Sequence, residues 1–340
     1  MGYSLEHRLV IGIASSALFD LSESDAVFKK EGEDAYRQYQ ERHLSRMLEP
    51  GVAFPFIRRI LSLNDLSEEG NPLVEVIIMS RNDPDTGLRV MRSIAAHSLP
   101  MSRAIFTQGQ APYHFMRPLN MSLFLSADDA DVREAVTAGL PAGRVMDSKV
   151  TDESEDRQLR IAFDFDGVLA DDSSETIFRS EGIDGFRNHE EVNVARPHNP
   201  GPLRDFLAGV NRIQRIELEQ RAQDPAYGPR LRVSLITARN APAHERAVTS
   251  LKAWGVTVND AFFLGGIDKG LITEQLRPHI FFDDQTSHLD GTARSIPRVH
   301  VPFGIANEPM AASDHDAGVV VLTEAETVGA DAQAASSAPN

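Results

Sequence analysis

Short, almost wholly apolar runs recur along the chain, separated by longer stretches in which apolar residues return every three to four positions. The runs at 9–13, 73–79, 103–107 and 121–125 read as buried strands, and 161–163, 231–236, 261–264 and 279–282 repeat the pattern further on. Between them, 54–63, a segment from about 86 to 97 capped by Asp85 or Thr86, and 245–254 carry the helical period. Strands alternating with helices predict an α/β fold with a parallel sheet.

The pattern also divides the chain. The stretch 146–158, MDSKVTDESEDRQ, is charged, has no apolar period and reads as an exposed linker between one α/β unit at 1–145 and a second at 159–305. Residues 172–229 are polar and helical, broken at ARPHNPGP, and are expected to form a small helical cap inserted in the second unit. From 306 to 340 the composition drifts to Ala, Ser, Asp and Glu, and the end is expected to be disordered. The two units resemble each other. A shift of 157 sets Arg89 on Arg246, Ser93 on Ser250, Phe106 on Phe263 and Phe124 on Phe281. A shift of 158 sets Arg81 and Asn82 on Arg239 and Asn240, and one of 151 sets Leu18 on Leu169.

Composition narrows the classes. With 340 residues, 41% of them hydrophobic, the chain can bury more than one domain-sized core. It has no cysteine, so any metal is held by oxygen or imidazole nitrogen. A net charge of −16 with no long basic tract argues against a nucleic-acid polymer as partner, while leaving room for a small anionic ligand beside a cation. The apolar run at 9–14 is too short for a signal segment or membrane span, so a cytoplasmic protein is expected.

The candidate chemistry lies where the predicted strands end, since ligands of parallel α/β sheets gather at strand carboxyl ends. In the second unit these positions hold Asp164 and Asp166 (FDFDG), Thr237 and Ala238 (LITAR), Lys269 (GGIDKG), and Asp283 with Asp284 (IFFDDQ). Two acidic clusters, a hydroxyl and a lysine make a site for a hard, oxygen-loving cation and a phosphate. In the first unit the matching positions are Ile13, Ser15, Met79, Pro112, Ser126 and Ala127. That half lacks the chemistry, and scaffold, oligomer contact or a regulatory nucleotide site are its candidate roles.

Four motifs in this order resemble the haloacid dehalogenase superfamily of phosphohydrolases. More narrowly, ASSALFDL, LEPGVAFPF, LFLSADDADVREA, GPLRDFL, LITAR, LKAWG and RPHIFFDDQ resemble the cytosolic 5'-nucleotidase type I family, over about residues 8–305. Vertebrate members carry FDGDAVLF where this chain has FDFDGVLA; both aspartates are kept. The resemblance implies two tandem Rossmann-like units, the second catalytic, and magnesium-dependent hydrolysis of nucleoside 5'-monophosphates. It implies Asp164 as nucleophile and Asp166 as acid and base. Thr237, Ala238 and Lys269 would bind the phosphate, and Asp164, Asp166, Asp283 and Asp284 the Mg2+. A small nucleotide is the expected partner, with a homo-oligomer and a nucleotide effector compatible. A phosphatase for a sugar phosphate and a non-catalytic nucleotide-binding regulator are the rival readings. Phe178, Phe186, Arg196 and His198 in the cap are more simply packing or loop residues and stay outside the site.

Overall fold

The computed structural model describes residues 3–68, 70–150 and 156–308. The expected disordered end, and the middle of the expected linker, lie outside these residues. Ten strands form one sheet: β1 (Leu9–Ile13), β2 (Val74–Ser80), β3 (Arg103–Phe106), β4 (Met121–Ser126), β5 (Ala142–Val145), β6 (Leu159–Phe163), β7 (Leu231–Thr237), β8 (Asp260–Phe263), β9 (Ile280–Asp283) and β10 (Arg298–His300). Their order is β3-β2-β1-β4-β5-β10-β9-β6-β7-β8. Every pairing is parallel except β5 with β10 at the centre. Each set of five strands therefore has its first strand in the middle, its second and third to one side, and its fourth and fifth to the other.

Two strands escape the sequence pattern. AGRV at β5 and RVH at β10 are too short, and each carries an arginine, so neither reads as an apolar run. They form the antiparallel seam, with Val299 opposite Val145 and His300 opposite Arg144. The helix expected to be capped by Asp85 or Thr86 begins earlier, because Asp83 is the cap and accepts from the Thr86 N–H at 2.9 Å. Pro84 then takes the first helical position, where its missing N–H costs nothing.

The central strands are buried on both faces, as expected where helices cover a parallel sheet. The helix Phe54–Ser62 packs against β6, and Arg204–Gln223 packs against β1 and β4, so each half lends a helix to the other's sheet. Gly209 lets the second of these approach closely, since a Cβ there would meet Leu9 Cδ1 at 2.6 Å. Of the span 172–229, only Ser173–Val192 is a mostly exposed hairpin of two helices, turned at Gly182 with φ 71°. The first half carries a matching hairpin, Ser22–Glu31 and Glu33–Arg42, turned at Gly32 with φ 83°.

Candidate active site

β6 is where the sheet order reverses, because the chain runs outward through β7 and β8 and then crosses back to β9. Asp164 follows β6 directly. Its N–H donates to the Phe282 carbonyl at 2.8 Å, which fixes it beside β9. Thr237 ends β7 on one side and Asp283 ends β9 on the other, so both lie within strands rather than just beyond them. The apolar residues feeding these ends, among them Phe163 and Phe282 stacked at 5.2 Å, make the site floor dry.

Lys269 is drawn into this floor by the helix Lys269–Leu276, which Asp268 caps through the Gly270 N–H at 2.8 Å. Its Nζ lies 2.9 Å from Asp164 Oδ2 and donates to Asp283 Oδ2 at 2.7 Å. Asp283 Oδ1 accepts from the Gln285 N–H at 2.9 Å and lies 3.2 Å from His288 Nδ1. Asp283 is thus fully engaged. Burial disfavours its charge, but Lys269 and His288 outweigh this and hold its pKa below the usual carboxylate range. Lys269 is itself held above the usual lysine value, because the two carboxylates more than offset its burial.

Asp164 and Asp284 are different. Asp164 Oδ1 and Asp284 Oδ1 are buried with no hydrogen-bond partner among the described residues. Burial pushes the Asp164 carboxyl up to about 7; Lys269 opposes the rise, and Asp283 and Asp166 add to it. Burial, reinforced by Asp164 and Asp283, pushes Asp284 up to about 9. Asp284 sits against Gly167, whose φ is 70° and whose missing Cβ would lie 2.6 Å from Asp284 Oδ2. Only glycine combines that backbone with that contact.

Asp166 is turned away from Lys269. Arg239 grips it from two sides, Nε to Oδ2 at 2.8 Å and Nη2 to Oδ1 at 2.7 Å. Arg239 is buried, donates also to Glu190, and lies between the rings of Phe165 and Phe186 at 5.0 and 5.4 Å. Thr237 is buried, and its Oγ1 accepts from the Arg239 N–H at 3.2 Å, while Ala238 is exposed beside it.

The structure therefore brings Asp164, Lys269 and Asp283 into direct contact, places Asp284 over the Gly167 turn, and sets Thr237 and Ala238 at the adjoining strand end. Among the described residues, Asp164, Asp283 and His288 each place one ligand-capable atom within 4.8 Å of the others, a group able to hold a metal ion. His288, Arg239 and Glu190 are absent from the sequence expectation, and His198, set aside there as a packing or loop residue, is buried against Arg239 and Glu190. Arg239 stood inside the LITAR motif, but nothing in the sequence pairs it with Asp166, 73 positions away.

The 5'-nucleotidase family model matches residues 1–308. Human cytosolic 5'-nucleotidase 1B is 31% identical over 294 residues, which cover 85% of this chain and 48% of that protein. The chain thus spans about half the length of that relative. No solved structure matches it. A match over the whole described sheet and every strand end of the site shows that this chain belongs to the 5'-nucleotidase family.

Proposed function

We propose that this chain hydrolyses nucleoside 5'-monophosphates to nucleoside and phosphate through an aspartyl-phosphate on Asp164. The observation that carries the reading is the buried Asp164 carboxylate, tethered on one oxygen by Lys269 and free on the other, at the strand end flanked by Thr237. A nucleophile needs that arrangement: one oxygen oriented, the other available.

The donor set fits a hard cation. Asp164 and Asp283 meet on Lys269, Asp166 meets Arg239, and among the described residues the buried Oδ1 atoms of Asp164 and Asp284 have no hydrogen-bond partner. Asp164, the backbone carbonyl of Asp166 and Asp284 would hold Mg2+, with Asp283 behind them locked to Lys269. When bound, the ion neutralises the repulsion between nucleophile and phosphate.

The chain's own groups do the rest. Thr237 Oγ1 and the Ala238 N–H bind phosphoryl oxygens, and Lys269 orients Asp164 and favours its ionised form against burial. Asp164 attacks phosphorus as the bond to the ribose 5' oxygen breaks. Asp166, protonated on an oxygen released from Arg239, gives the 5' oxygen that proton and then takes one back from the water that cleaves the acyl phosphate, ending the cycle as it began. The relative's name favours a nucleotide over a sugar phosphate and a place in the cytosol. No helix among the described residues is long and apolar enough to cross a membrane.

Asp164→Asn should lower phosphate release from AMP by about 10⁴-fold or more, the scale of losing a nucleophile, while equilibrium nucleotide binding survives. Substantial turnover in that variant would remove Asp164 from its role. Comparing release from nucleoside monophosphates and sugar phosphates tests the substrate class.

A further inference from the structure

Behind the two helical hairpins the halves hold the same hydrogen-bonded frame. In the C-terminal half Arg246 Nε donates to the Arg196 carbonyl (2.9 Å), Ser250 Oγ to the Arg246 carbonyl (2.9 Å), and the His198 N–H to Ser250 Oγ (2.9 Å). In the N-terminal half Arg89 Nε donates to the Arg46 carbonyl (3.0 Å), Ser93 Oγ to the Arg89 carbonyl (2.9 Å), and the Leu48 N–H to Ser93 Oγ (2.9 Å). Arg246 then reaches Glu190 at 2.8 Å, and Arg89 reaches Gln40 at 3.1 Å. At the strand ends, the Arg239 N–H donates to Thr237 Oγ1 at 3.2 Å, and the Asn82 N–H to Ser80 Oγ at 3.2 Å.

Within this common frame the charged side chains differ. Glu190 faces Gln40 across the comparison, Arg239 faces Asn82, and His198 faces Leu48. In the turn that holds Asp166, the N-terminal half has only Ser15 and Ser16. In the N-terminal half the frame keeps one buried ion, Arg89, but has neutral residues where the other half has Arg239 and Glu190, so that pair is not needed to build it. Buried ions left without a structural role are costly. The pair is present only where Asp166 is present.

We infer that Arg239 and Glu190 are positioning residues that fix the Asp166 carboxylate for proton transfer and couple it to the helical hairpin over the cleft. This rests on the role proposed above for Asp166. Arg239 holds both Asp166 oxygens, and its remaining nitrogen, Nη1, donates to Glu190 on the hairpin. Glu190 is held in turn by Arg246 and by Ser174 Oγ at 2.9 Å. His198 Nε2 closes the back of the chain, 3.1 Å from both Arg239 Nη2 and Ser174 Oγ and 3.2 Å from Glu190. With every bonding direction of the guanidinium taken up, a displacement of the hairpin is transmitted to Asp166.

Two variants test this. The double substitution Glu190→Gln with Arg239→Asn installs the pair that the N-terminal half already folds around, and Arg239→Lys keeps the charge without the two-sided grip. The readout is leaving-group release in a single turnover, for AMP and for p-nitrophenyl phosphate, whose phenolate departs without a proton. Release of adenosine should fall about 100-fold, the scale of a lost general acid, and release of nitrophenolate at least about tenfold less than that. Equal losses on both substrates in the double variant, or no loss on either, would overturn the inference. A wild-type protein that releases no adenosine would instead overturn the functional reading, and this inference with it.

Discussion

The two halves of the sheet share strand order, hairpin and backbone bonding, yet at its strand ends one gathers buried aspartates around a lysine where the other has small neutral residues. Hydrogen bonding sets the correspondence. Asp164 bonds to the β9 carbonyl of Phe282 as Ala14 bonds to the β4 carbonyl of Leu125, both at 2.8 Å. Ser80 stands for Thr237 and Ser126 for Asp283, each accepting from the N–H two residues on. The sequence overlay had placed Ile13 against Asp164 and Met79 against Thr237, one residue off in each case, because apolar strands align nearly as well when slipped by one. The difference teaches that buried charges come as a set. Once the lysine is absent, each aspartate becomes a liability, and small neutral side chains take their places.

Breaking the set in the C-terminal half should have the largest effect. Lys269→Met would strand Asp164 and Asp283 in the floor, costing roughly 3–5 kcal/mol of stability and about 10³-fold in turnover; denaturant unfolding and phosphate release measure the two. Importing half of the set should cost less. Ser126→Asp would bury a carboxylate with no lysine beside it and lower stability by about 2 kcal/mol, without creating activity. A phosphatase signal from Ser126→Asp combined with Asp164→Asn would refute the comparison.

The gentlest test is pH. In metal-free protein Asp164 and Asp284 bind protons up to about 7 and about 9, against 3.8 for an ordinary aspartate. These two carboxylates hold protons that the unfolded chain has already lost, which lowers stability as pH rises, whereas burial holds His198, His279 and His300 below the usual histidine value and acts oppositely below about 6.5, so the net decline falls between about 7 and 9. The melting temperature should show this decline without Mg2+, lose much of it with Mg2+ present, and flatten in Asp284→Asn. A metal-free melting curve independent of pH over that range would mean the two carboxylates are not held as described.

Much of this was legible in the sequence, for identifiable reasons. Carboxylates directly after apolar runs advertise themselves, which is how Asp164, Asp166, Asp283 and Asp284 stand out. Long-range pairing left no such signal. Glu190 looked like one more acid on a polar helix, and His198 like a loop residue, until folding buried both against Arg239. The seam strands were missed for a related reason: three or four residues with a polar member cannot declare a partner more than 150 positions away.

That seam bears on how two strand edges are kept from pairing with other chains. β5 and β10 are each the last strand of their half, and each would present a row of unpaired backbone groups if its half stood alone. Joined antiparallel, they satisfy one another. Each half is therefore a permanent blocking strand for the other, and separating the two at the connection would expose sticky edges on both.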